Sequence, residues 1–353
     1  MDEVSTNSRC SNNWWQTMLP IIFCCSTKHN HKSNITFTNL LLRVLVSILI
    51  SLSIANPTQA KETKVLFIKS GSAAVYNQII QAAKSRLSQT CNNPKRNCPN
   101  HSMQIVSVGD SRKLRRIVRD KEWDLFITIG TKAAIQLTKF KLATPTLYSL
   151  IPSHSYQAIK KASISKTKSA IYIDQPLERQ LLLIKSALPK KKRVGVLLGK
   201  HSGNIQRRLQ NKIRNMGLTP VITKLKGDDI RSPLNSLYKK IDVLLAIPDP
   251  SVYNKKSVMT VLLSSYRHNV PVIGYSAAFA RSGATASIYS SPADIGNQIG
   301  IEMVNFISSN NKKLSPAGFS DYFSVKTNRR VIRSLNLAIP STSKLKTDIK
   351  KGR

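Results

Sequence analysis

A chain of 353 residues, 41% hydrophobic and 20% charged, is long enough for about two packed domains and too apolar to be disordered throughout. Its 14 Gly and 16 Pro exclude collagen-like and low-complexity classes. With 55 Lys and Arg against 17 Asp and Glu the formal charge is +38, which attracts polyanions and anionic membranes but says nothing about fold.

The first sixty residues read as a leader. Leu40–Ile54 (LLLRVLVSILISLSI) is an almost unbroken apolar run, with Lys28, Lys32 and Arg43 upstream or at its edge and Ala55-Asn56-Pro57-Thr58-Gln59-Ala60 behind it. Basic region, short apolar core and small residues before a break are the order of a secretory signal, with Thr58 and Ala60 ahead of a cut before Lys61. The other reading is an uncleaved anchor, but about fifteen residues fall short of the roughly twenty that span a bilayer. The expected location is therefore periplasmic or otherwise extracytoplasmic. Trp14–Cys25 (WWQTMLPIIFCC) is unusual before such a signal: either the signal is long or translation starts after Met1.

Setting the leader aside removes Cys10, Cys24 and Cys25 and leaves Cys91 and Cys98 in CNNPKRNC, an even pair that suits a disulfide in an oxidising compartment. No second ligand pair lies nearby, so a metal site is not expected. The remaining 51 Lys and Arg against 15 Asp and Glu still leave +36.

From Lys64 short apolar runs alternate with longer amphipathic stretches. KVLFIKS (64–70), QIVSVG (104–109), DLFITIG (124–130) and PTLYSLI (145–151) read as strands, with helices over Ala73–Leu87 and from Ser111. SAIYID (169–174) then leads through Gln175-Pro176 into a helix ending near Leu188, and RVGVLLG (193–199), PVITKLK (220–226), DVLLAIP (242–248), PVIGYS (271–276) and TASIYS (285–290) follow as strands. Strands apolar on nearly every position and separated by helices predict parallel sheets covered on both faces. The halves resemble each other, KVLFIKSGSAAVYNQI against RVGVLLGKHSGNIQRRL and WDLFITIGTKAA against IDVLLAIPDPSV, so two α/β lobes are expected rather than one large sheet. Ser291, Pro292 and Asp294 signal the start of a last helix. DYFSVKT (321–327) reads as a returning strand, and STSKLKTDIKKGR from Ser341 as a disordered tail. The expected segments are a leader (1–60), an N-terminal lobe (61–168), a C-terminal lobe (169–320, with the crossover inside 169–190), a returning hinge segment (321–340) and a basic tail (341–353).

Ligands of parallel α/β sheets bind beyond the carboxyl ends of the strands, where helix N-termini offer free N–H groups. The turns at those ends are Ser70-Gly71-Ser72, Gly130-Thr131, Tyr148-Ser149, Gly199-Lys200-His201-Ser202, Asp249 and Tyr275-Ser276. Hydroxyls and N–H groups suit an anionic end of a small ligand, Asp249 a cationic end, and a tyrosine ring an apolar body. Taken singly, each Gly, Ser or Thr is also an ordinary helix cap. Phosphate-loop, dinucleotide, nucleophile-elbow and zinc-protease motifs are absent, and His101, His154, His201 and His268 are not paired at metal-ligand spacing, so no catalytic residue, cofactor or metal is expected. The basic clusters KLRRIVRDK (113–121), KKKR (190–193) and the C-terminal lysines fall on separate segments with few aromatics between them, which disfavours nucleic acid and suits a solvated basic surface resting on an anionic membrane.

The stretch IDVLLAIPDPSVYNKKSVMTVLLSSYRHNVPVIGYSAAFARSGATASIYSSPADIGNQIG (241–300) resembles the extracytoplasmic solute-binding proteins of the ABC-transporter substrate-binding family, which have a type I periplasmic-binding-protein fold. ITIGTKAA (127–134), AIYIDQPLERQLLLIKSALPKKKRVGVLLG (170–199) and FSVKTNRRVIRSLNLAIP (323–340) extend the likeness over roughly Lys64 to Pro340. The resemblance implies two Rossmann-like lobes joined by hinge strands and closing on a small molecule, and a receptor, expected to be monomeric, that serves a membrane permease. By the same resemblance Thr131 matches the turn after the third strand, Asp249 the acidic position that faces a ligand's ammonium group in amino-acid binders, and Tyr275 and Ser276 a cleft-facing strand end. SLIPSHS (149–155), Asp174-Gln175-Pro176 and Pro248-Asp249-Pro250 depart from the turns of amino-acid-binding members, so fold carries over better than specificity. The expected function is a receptor for a small polar solute, an amino acid or a related molecule; the alternative is a ligand-free interaction module of the cell envelope with the same fold. Asp249→Ala is expected to weaken binding without unfolding the protein.

Overall fold

Two six-stranded sheets organise the chain in the computed structural model, which describes residues 62–93, 98–227, 229–309 and 311–352; the leader expected over residues 1–60 lies outside them. The first lobe alternates β1 (Thr63–Lys69), α1 (Ala74–Cys91), β2 (His101–Ser107), α2 (Ser111–Asp120), β3 (Leu125–Ile129), α3 (Thr131–Thr138), β4 (Thr146–Ile151), α4 (Ser153–Ala162) and β5 (Lys168–Tyr172). The second runs through α5 (Leu177–Ala187), β6 (Arg193–Leu198), α6 (Gln206–Asn215), β7 (Thr219–Lys224), α7 (Arg231–Tyr238), β8 (Val243–Leu245), α8 (Val258–Arg267), β9 (Val272–Gly274), α9 (Ala277–Ser282) and β10 (Ala286–Tyr289). Then come α10 (Pro292–Ser308), β11 (Gly318–Phe319), β12 (Ser324–Thr327), α11 (Arg329–Ser334) and α12 (Thr342–Lys351).

Both sheets have one topology. The orders are β2-β1-β3-β4-β5-β11 and β7-β6-β8-β9-β10-β12, parallel throughout except for the antiparallel pair β10–β12. The doubly wound architecture expected from the alternating pattern is thus present twice. Val65, Leu66, Phe67 and Ile68 are all fully buried, because β1 has helices on both faces and alternation would leave polar groups in a core.

The lobes exchange chain, and here the segments expected from sequence need correction. SAIYID does not open the second half: β5 pairs with β4 on one side and β11 on the other and belongs to the first sheet. After β10 the chain returns, and Ile295, Ile299 and Met303 of α10 enter the first-lobe core with Ile79, Ile80 and Ala83 of α1. Gly296 and Gly300 let these helices touch: a Cβ at Gly296 would lie 2.5 Å from the Ile79 carbonyl oxygen, and one at Gly300 2.8 Å from that of Ala83. The first lobe therefore comprises residues 62–172 and 292–319, and the second 177–289 and 324–352. The signals at Ser291 and Asp294 form a reciprocal capping box at the start of α10.

The expected disordered tail is instead helix α12. Ser341 Oγ accepts from Lys344 N at 3.2 Å, and Leu345 and Ile349, four residues apart, are fully buried in the second-lobe core. Two apolar residues among lysines read as a polar tail until the groove they fill is seen. Cys91, at the end of α1, is disulfide-bonded to Cys98. Among the described residues no helix is long and apolar enough to cross a membrane.

Candidate functional site

In a sheet ordered 2-1-3-4-5 the chain winds in opposite senses on either side of strands 1 and 3, so the loops after them part and leave a crevice. In the first lobe these loops begin at Ser70 and Gly130; in the second, at Gly199 and Pro248-Asp249. Four of the six expected turns thus fall at the two switch points, and in each lobe the two loops there are bonded together; Tyr148-Ser149 lies within β4 and Tyr275-Ser276 follows β9.

In the first lobe Ser70 Oγ accepts from Ala133 N at 2.9 Å and so caps α3 from a neighbouring strand. Gly130 has φ +95°, and a Cβ there would sit 2.5 Å from Ser70 Oγ, so the junction admits only glycine. Gly71 and Thr131 are half-buried and Ser72 is exposed at the mouth of this junction. Ser149 differs from these: it is fully buried and its hydroxyl donates to the Thr128 carbonyl at 2.7 Å, tying β4 to β3. Beside it Leu150 adopts φ +55°, and the β4–β5 register shifts between Ser149 and Ile151. A leucine in the left-handed region costs about 1–2 kcal/mol, and the shift bends the end of β4, where Ile151 still pairs with Tyr172 before the chain leaves the sheet at Pro152.

In the second lobe Asp249 is the centre of the loop structure. One carboxylate oxygen accepts from Gly199 N at 3.1 Å and Ser202 Oγ at 2.5 Å; the other accepts from Ser251 N at 2.9 Å and Ser251 Oγ at 2.6 Å. Asp249 is 1% exposed and Ser202 4%, so both lie beneath the loop surface, and both oxygens of the carboxylate are engaged within the protein. Burial alone would raise this carboxyl, but the Ser202 and Ser251 hydroxyls and the N–H groups of Ser251 and Gly199 together hold it below the usual range. Tyr275 is half-buried, its ring 5.1 Å from Phe279 and 6.1 Å from Tyr253, and burial with the nearby Asp249 charge raises its hydroxyl. Tyr253 is buried, and its hydroxyl has no partner among the described residues. Ser276 caps α9, its Oγ accepting from Phe279 N at 3.0 Å.

The crossovers between lobes leave from the carboxyl ends of β5 and β10, on the side of each sheet where these loops gather. They are bonded to one another. Gln175 Nε2 on the first donates to Ser290 Oγ on the second at 2.7 Å, and Ser290 Oγ to the Tyr322 carbonyl on the third at 3.3 Å. Arg179, 2% exposed, donates through one Nη to Gln175 Oε1 and to the Ser320 carbonyl, with its guanidinium 4.5 Å from the centre of the Phe323 ring. Asp294 takes Ser324 Oγ at 2.7 Å, and Asp174 takes the N and Oγ of Ser153 at 2.7 and 2.5 Å, joining SLIPSHS to the first crossover. None of these hinge residues is among the site candidates read from sequence. The one available signal was an arginine on the apolar face of LERQLLLIKSA, four residues after a glutamine.

Among the described residues no group of three or more His, Cys, Asp or Glu could hold a metal ion. No match is found among curated proteins. Solved structures share the fold. A ligand-free, open substrate-binding protein with adhesive properties from Clostridium difficile is 18% identical, with TM-score 0.61 over 80% of this chain and 97% of its own. An ABC domain in complex with L-Trp from Streptococcus pneumoniae is 18% identical, with TM-score 0.51 over 81% of this chain and 98% of its own. A conserved domain protein from Vibrio cholerae is 17% identical, with TM-score 0.51 over 81% and 98%. The sequence pattern of the family described as ABC transporter substrate binding protein matches residues 100–341, well over half of the chain, and the protein belongs to that family.

Proposed function

We propose that the protein is the extracytoplasmic receptor of an ABC-type importer, exported through its N-terminal segment, monomeric, lying against an anionic membrane surface and delivering a small polar solute to a membrane permease. It captures rather than transforms the solute. The observation that carries this reading is the pair of switch points, one per lobe, both on the side of the sheets from which the bonded crossovers leave. Loops at both strand ends supply N–H groups and hydroxyls, and a ligand that touches both lobes favours the closed arrangement because only there do all its contacts exist.

Within this reading the candidate residues divide into two kinds. Gly71, Ser72, Thr131, Tyr275 and Ser276 keep some exposure and are the proposed ligand contacts. Ser70, Ser149, Ser202 and Asp249 are proposed as positioning residues, since their polar side chains are spent on neighbouring loops and strands. Asp249 is thereby reassigned from pairing with a ligand's ammonium group to holding the loops after β6 and β8 in register. Its removal is then expected to cost stability as well as affinity, contrary to the expectation from sequence. The half-buried ring of Tyr275, backed by the buried Tyr253 and Phe279, suits a solute with a flat apolar body, such as an aromatic amino acid, and the L-Trp held by the Streptococcus pneumoniae protein supports that class.

The test is thermal unfolding of residues 61–353 with amino acids, small peptides, carboxylates, nucleosides and inorganic anions. A ligand at about a hundred times its Kd adds about 2.7 kcal/mol, which raises Tm by roughly 5 °C. One class should produce that rise, and Tyr275→Ala should abolish it while leaving the unliganded Tm within about 2 °C. A flat response to the whole panel would move the assignment to the ligand-free envelope module.

A further inference from the structure

Helix α2 carries Arg112, Arg115, Arg116 and Arg119, a spacing of 3, 4 and 7 that stacks four guanidinium groups on one face. All four are exposed, while Leu114 and Val118 on the opposite face are buried in the first-lobe core. Among the described residues the ion pairs are Arg193–Asp242, Lys212–Glu178 and Lys344–Asp348, and none involves this stripe. Helix α6 is also rich in cations, but its Lys212 is engaged by Glu178. The stripe lines a shallow groove of about 480 Å³ together with Ser111.

Two further features set α2 apart. The first turn holds Arg112 and Lys113 and no acidic residue, so near the positive end of the helix dipole the Asp110 cap is the one carboxylate against two cations. The helix is also held at both ends: Asp110 Oδ1 accepts from Lys113 N at 3.0 Å, and Trp123 Nε1 donates to the Ile117 carbonyl at 2.8 Å. The stripe itself carries no aromatic side chain, so it offers no stacking platform for nucleobases. A rigid helix presenting four forked donors over roughly 10 Å of its length matches a plane of phosphates rather than one small anion. The adjoining strand β2 lies at the sheet edge and exposes Ile105, an apolar contact beside the cations.

We propose that the outer face of α2 is the surface by which the protein rests on an anionic lipid bilayer, with the four arginines bonded to lipid phosphates. This deepens the membrane part of the functional reading, but it does not depend on the identity or existence of a solute. Vesicle binding and solute binding can therefore fail separately.

The test is sedimentation of residues 61–353, which form a compact unit with their own cores, with phosphatidylcholine vesicles containing roughly a third phosphatidylglycerol. Binding is expected to the mixed vesicles, to fall with salt, and to be absent with phosphatidylcholine alone. Replacing Arg112, Arg115, Arg116 and Arg119 together by Ala should weaken it by at least about tenfold. Replacing Lys190, Arg207, Arg208 and Arg214, an equal charge on exposed positions elsewhere, should change it by no more than about twofold. Equal losses in the two variants would overturn the proposal in favour of diffuse net charge. Preference for polyglutamate over vesicles would overturn it in favour of an acidic polypeptide, and release from vesicles by millimolar glycerol phosphate in favour of a discrete small-anion site. Wild-type protein that ignores the mixed vesicles would end it outright.

Discussion

Asp242 and Asp249 are seven residues apart at opposite ends of β8, and neither is a free carboxylate. At the amino end Asp242 accepts from the backbone N–H groups of Lys192 and Arg193 at 3.1 and 2.8 Å, and from the Arg193 guanidinium at 2.9 and 3.2 Å. The Arg193 side chain foremost, aided by those N–H groups and against some burial, lowers its carboxyl from 3.8 to about 2. A folded value below the unfolded one gives stability that is full above about pH 4 and is lost as pH falls through 2. Exposure of the pair screens much of the effect. Asp242→Asn should therefore flatten the urea midpoint between pH 4 and pH 2 relative to the wild type, and parallel profiles would show that the pair adds nothing. At the carboxyl end the sequence marks Asp249 as special but not in what way, because a carboxylate facing a ligand and one folded under a loop look alike in one dimension. What separates them is Ser202 and Ser251 arriving from either side, and Ser202 comes from 47 residues away.

Among the elements, the strands were the most legible. β1, β3 and β6 are runs of consecutive apolar residues that can only sit inside a covered sheet, and each turn after them contains the candidates that the switch points bring together. Elements held by a few long-range contacts were not. Strand β11 is two residues long and exists because β5 offers an edge, and α12 is a lysine-rich decapeptide with two apolar side chains. Leu345→Ala should lower stability by about 2–4 kcal/mol, as for any leucine withdrawn from a closed core, with no change in solute affinity. A urea midpoint within error of the wild type would mean that α12 rests on the second lobe without contributing to it.

At the scale of the whole molecule the duplication seen in sequence extends to side chains. Asp124, just before β3, accepts from Lys64 N at the start of β1 at 2.8 Å, as Asp242 before β8 does from Arg193 N at the start of β6. The hinge has no such internal copy. Arg179 spans the first and third crossovers, with Gln175 reaching the second, so one buried side chain and its neighbour hold all three. Arg179→Ala leaves a cavity, two acceptors without their donor and a bare Phe323 ring, an expected loss of about 3 kcal/mol. It should also split urea unfolding into two transitions as the lobes uncouple, and a single transition at the wild-type midpoint would show that the crossovers hold without it.

The return of α10 to the first lobe also sets an order on synthesis. The core around β1 and α1 lacks one wall until Ile295, Ile299 and Met303 arrive, more than two hundred residues after Val65. A ribosome that has made only the first 172 residues holds a sheet with α1 but not α10 over one face, and that core cannot close until the far end of the chain arrives. A polypeptide that cannot close its first half early stays open along its length until synthesis is nearly complete.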